Sequence, residues 1–216
     1  MSHDNESPIY IIDVGRGFCV LIEFKYYNMK YTIEDLKRMR LKEGASVIYF
    51  WGHHQATDLI TQTCLSQWYP CKFIVDNKDY YTAEQYMMSE KAKLFKDYET
   101  YIKIMKAKDP REYKSLGRKV KGFDALIWDK NKYDIVLKGN IAKFSQNSEL
   151  KKYLLSTGNS ILAEASSYDR IWGIGMDERE ASKLNISYWK GENLLGLALM
   201  EARDTISNGY QEYNSR

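Results

Sequence analysis

Proline, histidine and cysteine are scarce in this 216-residue chain, with 3 of each. Three cysteines (Cys19, Cys64, Cys71) are an odd number without metal-ligand spacing. They argue against a disulfide framework and for free thiols in a reducing compartment. Two of the 3 histidines are adjacent (His53, His54), which leaves too few ligands for a zinc site. No metal and no organic cofactor is expected. With so little proline and no Gly/Ser-rich linker, no seam divides the chain. No apolar run approaches the roughly 20 residues of a membrane span. The first ten residues are polar and acidic rather than basic and then apolar, so the expected location is the cytoplasm, away from membranes. A net charge of +3 gives no sign of a strongly basic surface for long nucleic-acid tracts. A local pocket for one or two phosphates stays open.

Aromatic residues are abundant, at 14% with 18 Tyr and 5 Trp. Such rings stack on bases or fill cores, and composition does not choose between these uses. Residues 8–26 read as a β-hairpin turning at Gly15-Arg16-Gly17; no GxGxxG follows, so this is a turn and not a phosphate loop. Thr32 and Asp35 form a capping-box pattern for a helix to about Leu41, and Val47 to Phe50 is a buried strand. Residues 51–70 form a long loop rich in rings and polar groups, and a second hairpin turns at Asp76-Asn77. Beyond Thr82 the chain becomes mainly helical. Thr82/Gln85 and Asp109/Pro110 are start signals, Ser148 reads as a cap, and Gly117 and Gly158 are stops. Tyr133 to Phe144 is apolar at helical spacing, Ile161 to Ala165 is ambiguous, Ser167 to Met176 is a structured loop, and Leu194 to about Ile206 is a last helix. The expected class is α+β, predominantly helical, with small N-terminal β-hairpins. Residues 1–30 are a hairpin extension and 31–216 the catalytic domain.

Glu84 and Lys91 stand seven residues apart in the helix that Thr82 starts. Seven is close to two turns, so both lie near one face, with backbones roughly 10 Å apart along the axis. That gap is too long for a simple ion pair but leaves room for a sugar, and the lysine leans back toward Glu84. Glu84 lies in the first turn, where the helix dipole favours its ionised form, suiting it as a base more than as a resting acid. On spacing alone a solvated helix surface is the commoner reason for such a pair, and Met87 and Met88 between them read as core filler.

The string from Tyr81 to Ala92 resembles the signature helix of the NADAR (YbiA-like) family, whose Glu and Lys have this separation. The resemblance continues through residues 116–118, Trp128, 143–144, 154–158, 163–166, 169–175, Trp189, Gly191 and 193–196, with 50–52 and 65–70 upstream. It spans about residues 45 to 205, and Gln67 stands where many members have Asn. Residues 1–30 fall outside it.

The resemblance implies an N-glycosidase acting where an exocyclic amine joins the anomeric carbon of a ribose. Members remove ADP-ribose from guanine in nucleic acid, or ribose phosphate from early riboflavin intermediates. By the same match, Lys91 is the amine that attacks an opened imine, Glu84 moves protons, and Asp169 binds ribose hydroxyls or assists proton transfer. A competing route has water attack an oxocarbenium-like ribose beside Glu84. Trp172 is implied as a base-stacking ring, Gly173 and Gly175 as close approaches to a phosphate, and Arg118 and Lys143 as phosphate partners. Phe50, Gly52, Ser66, Gln67, Trp68, Tyr69, Gln85, Met88 and Trp128 complete the implied lining, and His53 has the weakest claim. The implied partner is ADP-ribosylated nucleic acid or a nucleotide-like small molecule, with an ADP-ribosyltransferase toxin as a counterpart. A non-catalytic ADP-ribose or NAD-binding module is the alternative of another class; it would lose the Glu84/Lys91 pair.

Overall fold

Short polar side chains mark the helix starts. In the computed structural model, which describes residues 9–15, 18–23, 29–53 and 59–214, Thr32 and Asp35 form the reciprocal capping box that begins α1 (Ile33–Lys42). Thr82 accepts from the Gln85 amide and starts α2 (Ala83–Leu94). Asp109, followed by Pro110, starts α4 (Pro110–Gly117). Each cap satisfies a first-turn N–H that the helix cannot, worth about 1 kcal/mol.

Strands β1 (Ile9–Gly15) and β2 (Phe18–Glu23) pair antiparallel as a hairpin. Arg16 and Gly17 of the expected Gly15-Arg16-Gly17 turn lie outside the described residues, as does His54. Strands β4 (Phe73–Val75) and β5 (Lys78–Tyr80) form the second hairpin. Asp76 and Asn77 both take positive φ, 49° and 57°, as a tight two-residue reversal requires. The strand pair nearest the site is β3 (Val47–Phe50) with β6 (Ile161–Glu164), parallel, with Phe50 opposite Glu164. The ambiguous 161–165 segment is therefore a strand, and its apolar residues are all buried.

Several helices depart from the sequence reading. α3 (Tyr98–Lys106) was not foreseen; Asp97 caps it two residues after α2 unwinds at Phe95. α5 runs from Ala125 to Gln146, capped by Asp124, well before the apolar repeat begins at Tyr133. Ser148 is the first residue of α6 (Ser148–Ser156), not its cap, and Asn147 precedes it without a capping bond. After β6 come the single-turn α7 (Glu178–Ala181) and α8 (Leu194–Asn214), which extends past the expected end.

The resulting class is α+β with helices predominating. Residues 194–202 of α8 pack against α5 and β6 and are buried almost without interruption. α2 is enclosed by α3, α4 and α5. α4 comes close because it ends in glycine: a Cβ at Gly117 would overlap the Met88 sulfur. Met88 lies between Glu84 and Lys91, so α4 crosses α2 between the two candidate catalytic groups.

Candidate active site

The second residue of α2 is Glu84, and its amide donates to the Gln67 carbonyl at 2.9 Å. That bond ties the 66–69 loop to the helix start. The Glu84 side chain is only 4% exposed, and its Oε1 has no hydrogen-bond partner among the described residues. Burial pushes its pKa up to about 7; Asp169 pushes the same way, while Lys114, a Trp68 hydrogen bond and Arg118 oppose. The helix dipole at this first turn favours the ionised form of Glu84, and burial opposes it. A helix N-terminus contributes about 0.3–1 kcal/mol. Raising a carboxyl from 4.5 to about 7 corresponds to roughly 3 kcal/mol in the other direction. Desolvation wins.

A second carboxylate faces the same place. Glu164 ends β6, and its backbone is fixed by three bonds: its N–H donates to Asn193 Oδ1 at 3.1 Å, and its carbonyl accepts from Ser166 and Ile174 at 2.9 Å each. Its Oε2 is buried and has no hydrogen-bond partner among the described residues. Burial, then Asp169 and Glu84, push its pKa up to about 8, with Lys114 opposing. Asp169 Oδ1 accepts from the amides of Ile171 at 2.9 Å and Trp172 at 2.8 Å, an Asx turn that fixes the carboxylate beside the other two. Sequence reasoning assigned no role to Glu164 or Lys114. The available signal for Glu164 was its place at the carboxyl end of a parallel strand, where α/β sites gather. For Lys114 it was the four-residue step to Arg118, which puts both on one face of α4.

At the other end of the α2 face, the Lys91 ammonium lies 4.2 Å from the Phe123 ring centre and 5.3 Å from that of Trp128. Burial lowers its pKa, which favours the neutral, nucleophilic amine. Glu84 and Lys91 thus occupy distinct surroundings on one helix, a polar carboxylate end and an aromatic amine end. Trp68 belongs to the former, with His53 5.5 Å from it ring to ring and the Lys114 ammonium 5.9 Å over it.

Several candidates are placed elsewhere. Lys143 is fully buried, and its ammonium donates to the Ser66 carbonyl at 2.8 Å. The Gln67 amide donates to Asn140 at 3.1 Å, and Gln85 bridges the Tyr81 amide and the Ile104 carbonyl. Phe50, Tyr69 and Met88 are core residues. Ser66 Oγ accepts from the Trp68 amide. These groups shape the walls of the site. Gly173 is packed against the Glu164 and Asp169 carbonyls, and the Gly175 amide donates to the Asp169 carbonyl, so these glycines close the loop on itself. Gly52 takes φ +76° with open space beside it, Arg118 is exposed, and Trp172 is partly buried against the core.

Among the described residues, no group of three or more His, Cys, Asp or Glu could hold a metal ion. No described helix is long and apolar enough to cross a membrane. What the arrangement offers is acid–base chemistry: two carboxyls titrating near neutrality, an aspartate, two cations, and a desolvated amine two turns along the helix.

Residues 49–207 match the family model described as the NADAR domain. An N-glycosidase of Acanthamoeba polyphaga mimivirus is 46% identical over 144 residues, covering 64% of this chain and 85% of that protein. The chloroplastic riboflavin biosynthesis protein PYRR of Zea mays is 38% identical over 107 residues, covering 48% of this chain and 15% of that protein. The NMR structure of the Escherichia coli protein YbiA aligns with a TM-score of 0.62 and 27% identity, covering 77% of this chain and 88% of that one.

Proposed function

Since this chain belongs to the NADAR domain family, we propose that it is an N-glycosidase that hydrolyses the bond between ribose C1 and an exocyclic amine, with ADP-ribose on guanine in DNA or RNA as its substrate. The observation that carries this reading is the pairing on one helix of a buried carboxyl titrating near 7 with an amine of lowered pKa. The mimiviral relative, named an N-glycosidase, supports the reaction class.

In the reaction, a protonated carboxyl donates to the ribose ring oxygen, and the ring opens to an iminium between C1 and the exocyclic nitrogen. The neutral Lys91 amine adds to C1. The C1–N bond to the base then breaks, its electron pair and a proton leaving with the base. Water adds to the Lys91–C1 imine, and the C1–lysine bond breaks to return the amine and release the ribose as its aldehyde. Glu84 and Glu164 exchange the protons these steps require, because near pH 7–8 one can hold a proton while the other accepts. Asp169 orients ribose hydroxyls, and Arg118 with Lys114 receives phosphate. We assign residues 1–30 to an extension outside this machinery.

A second reading, hydrolysis of phosphoribosyl-aminopyrimidines, is favoured by the Zea mays relative, which is named for riboflavin biosynthesis. One side-by-side assay decides: guanine-ADP-ribosylated oligonucleotide against phosphoribosyl-aminopyrimidine, each with wild-type chain and Glu84→Gln. Release of free ADP-ribose by the wild type alone supports the first reading. Tight binding of the modified oligonucleotide without release makes the chain a reader and ends it.

A further inference from the structure

An open cavity of about 670 Å³ is lined by residues that adjoin the candidate site in the chain, and neither proton chemistry nor the Lys91 end accounts for it. Trp51 lines it two residues before His53, whose ring lies 5.5 Å from that of Trp68, and Tyr168 lines it one residue before Asp169. Trp51 and Ala165 directly follow the ends of β3 and β6, and both line the cavity.

Two large rings stand open there: Trp51 is 65% exposed and Tyr168 95% exposed. Exposed rings bordering a concave, polar-rimmed space mark a ligand face more than a core defect. The charged lining is Asp177, Glu178 and Arg179, two acids against one base, which disfavours phosphate. Hydroxyls of Thr63 and Ser167 supply donors and acceptors for a flat, uncharged partner with hydrogen-bonding edges.

We propose that this cavity is a second subsite that takes a neutral nucleobase or nucleoside of the same substrate, stacked on Trp51 and Tyr168. The inference rests on the hydrolase reading for its link to turnover, but the binding itself does not depend on catalysis. Two sources share this chemistry: a nucleoside carried beyond the ribose phosphate, and a neighbouring base of an oligonucleotide.

The test uses the full chain and the double variant Trp51→Ala/Tyr168→Ala, whose exposed positions leave the core intact. Adenosine binding, measured by calorimetry, weakens at least fivefold in the variant. Equal adenosine affinity in wild type and variant overturns the subsite. Turnover then locates the ring, with phosphoribosyl-aminopyrimidine, ADP-ribosylated guanosine and ADP-ribosylated oligonucleotide compared. A KM increase roughly tenfold greater on both ADP-ribosylated substrates than on the aminopyrimidine identifies the nucleoside beyond the phosphates. An increase confined to the oligonucleotide identifies the neighbouring base. An equal effect on all three, or none, contradicts a second subsite. If wild type hydrolyses none of them yet binds adenosine through these rings, the hydrolase reading fails and the subsite stands.

Discussion

Glu84 lies in the first turn of a helix and Glu164 ends a strand, yet Asp169 raises the pKa of both, Glu84 raises that of Glu164, and each keeps one buried oxygen without a hydrogen-bond partner among the described residues. Two like charges in a desolvated space do not ionise together readily, so the pair retains a proton near neutral pH. That retained proton is the acid the proposed cleavage requires. The value of kcat/KM is therefore expected to fall above about pH 8, where Glu164 loses its proton. Glu164→Gln has no carboxyl proton to donate, so its residual activity is lower and shows no descending limb. A pH profile with the limb intact in the variant assigns it to another group.

The same shifts carry a stability sign. Both folded-state pKa values lie above the ordinary carboxyl value, so the proton-linked stability is present at low pH and is lost as pH rises through about 7 and 8. Glu164→Gln is thus expected to melt higher than wild type at pH 9, by several degrees given roughly 2–4 °C per kcal/mol for a domain of this size. The difference shrinks toward pH 5. Calorimetric scans at the two pH values measure it; a gap that widens on acidification refutes the sign. Glu84→Gln is expected to keep a cooperative transition while kcat drops about 10²–10⁴-fold.

Lys91 owes its lowered pKa to burial, beside the Phe123 and Trp128 rings. Trp128→Ala admits water, so the amine pKa rises and the ascending limb of the pH–rate profile moves to higher pH. Lys91→Arg, permanently charged, is expected to be inactive with an unchanged melting temperature. Comparing the pH–rate profiles of wild type and Trp128→Ala is the check, and an unshifted limb in Trp128→Ala means the rings do not set the amine.

Lys143 and Arg118 are both cations that the family resemblance marks for phosphate, and they separate cleanly here. Lys143→Ala strands the Ser66 carbonyl in the core and is expected to cost about 1–3 kcal/mol, read as a lower Tm. Arg118→Ala leaves Tm alone and raises KM for phosphate-bearing substrates. Reversed outcomes would reverse the assignments.

Much of the fold was legible because its punctuation is local. Thr32, Thr82 and Asp109 cap helices through their own side chains, and Asp76-Asn77 turns a hairpin through its own backbone. α3 was not legible: its cap, Asp97, follows α2 so closely that the two helices read as one fraying end, and only Thr100 and Ile104 are buried. The site divides along the same line. Glu84 and Lys91 are marked by spacing on one helix, but Glu164 becomes part of the site only through the pairing of β6 with β3 and the loop that returns past Asp169. Lys143 resembled a ligand-binding cation because nothing in the sequence discloses that residues 136–145 of α5 are buried on every side.

The central claim, that Lys91 forms a covalent imine with ribose C1, is tested most directly by borohydride reduction during turnover of an ADP-ribosylated oligonucleotide, followed by mass mapping of the peptides. A reduced ribose adduct on Lys91, lost in Lys91→Arg and diminished in Glu84→Gln, is the predicted result. Full turnover with no adduct at Lys91 would contradict it.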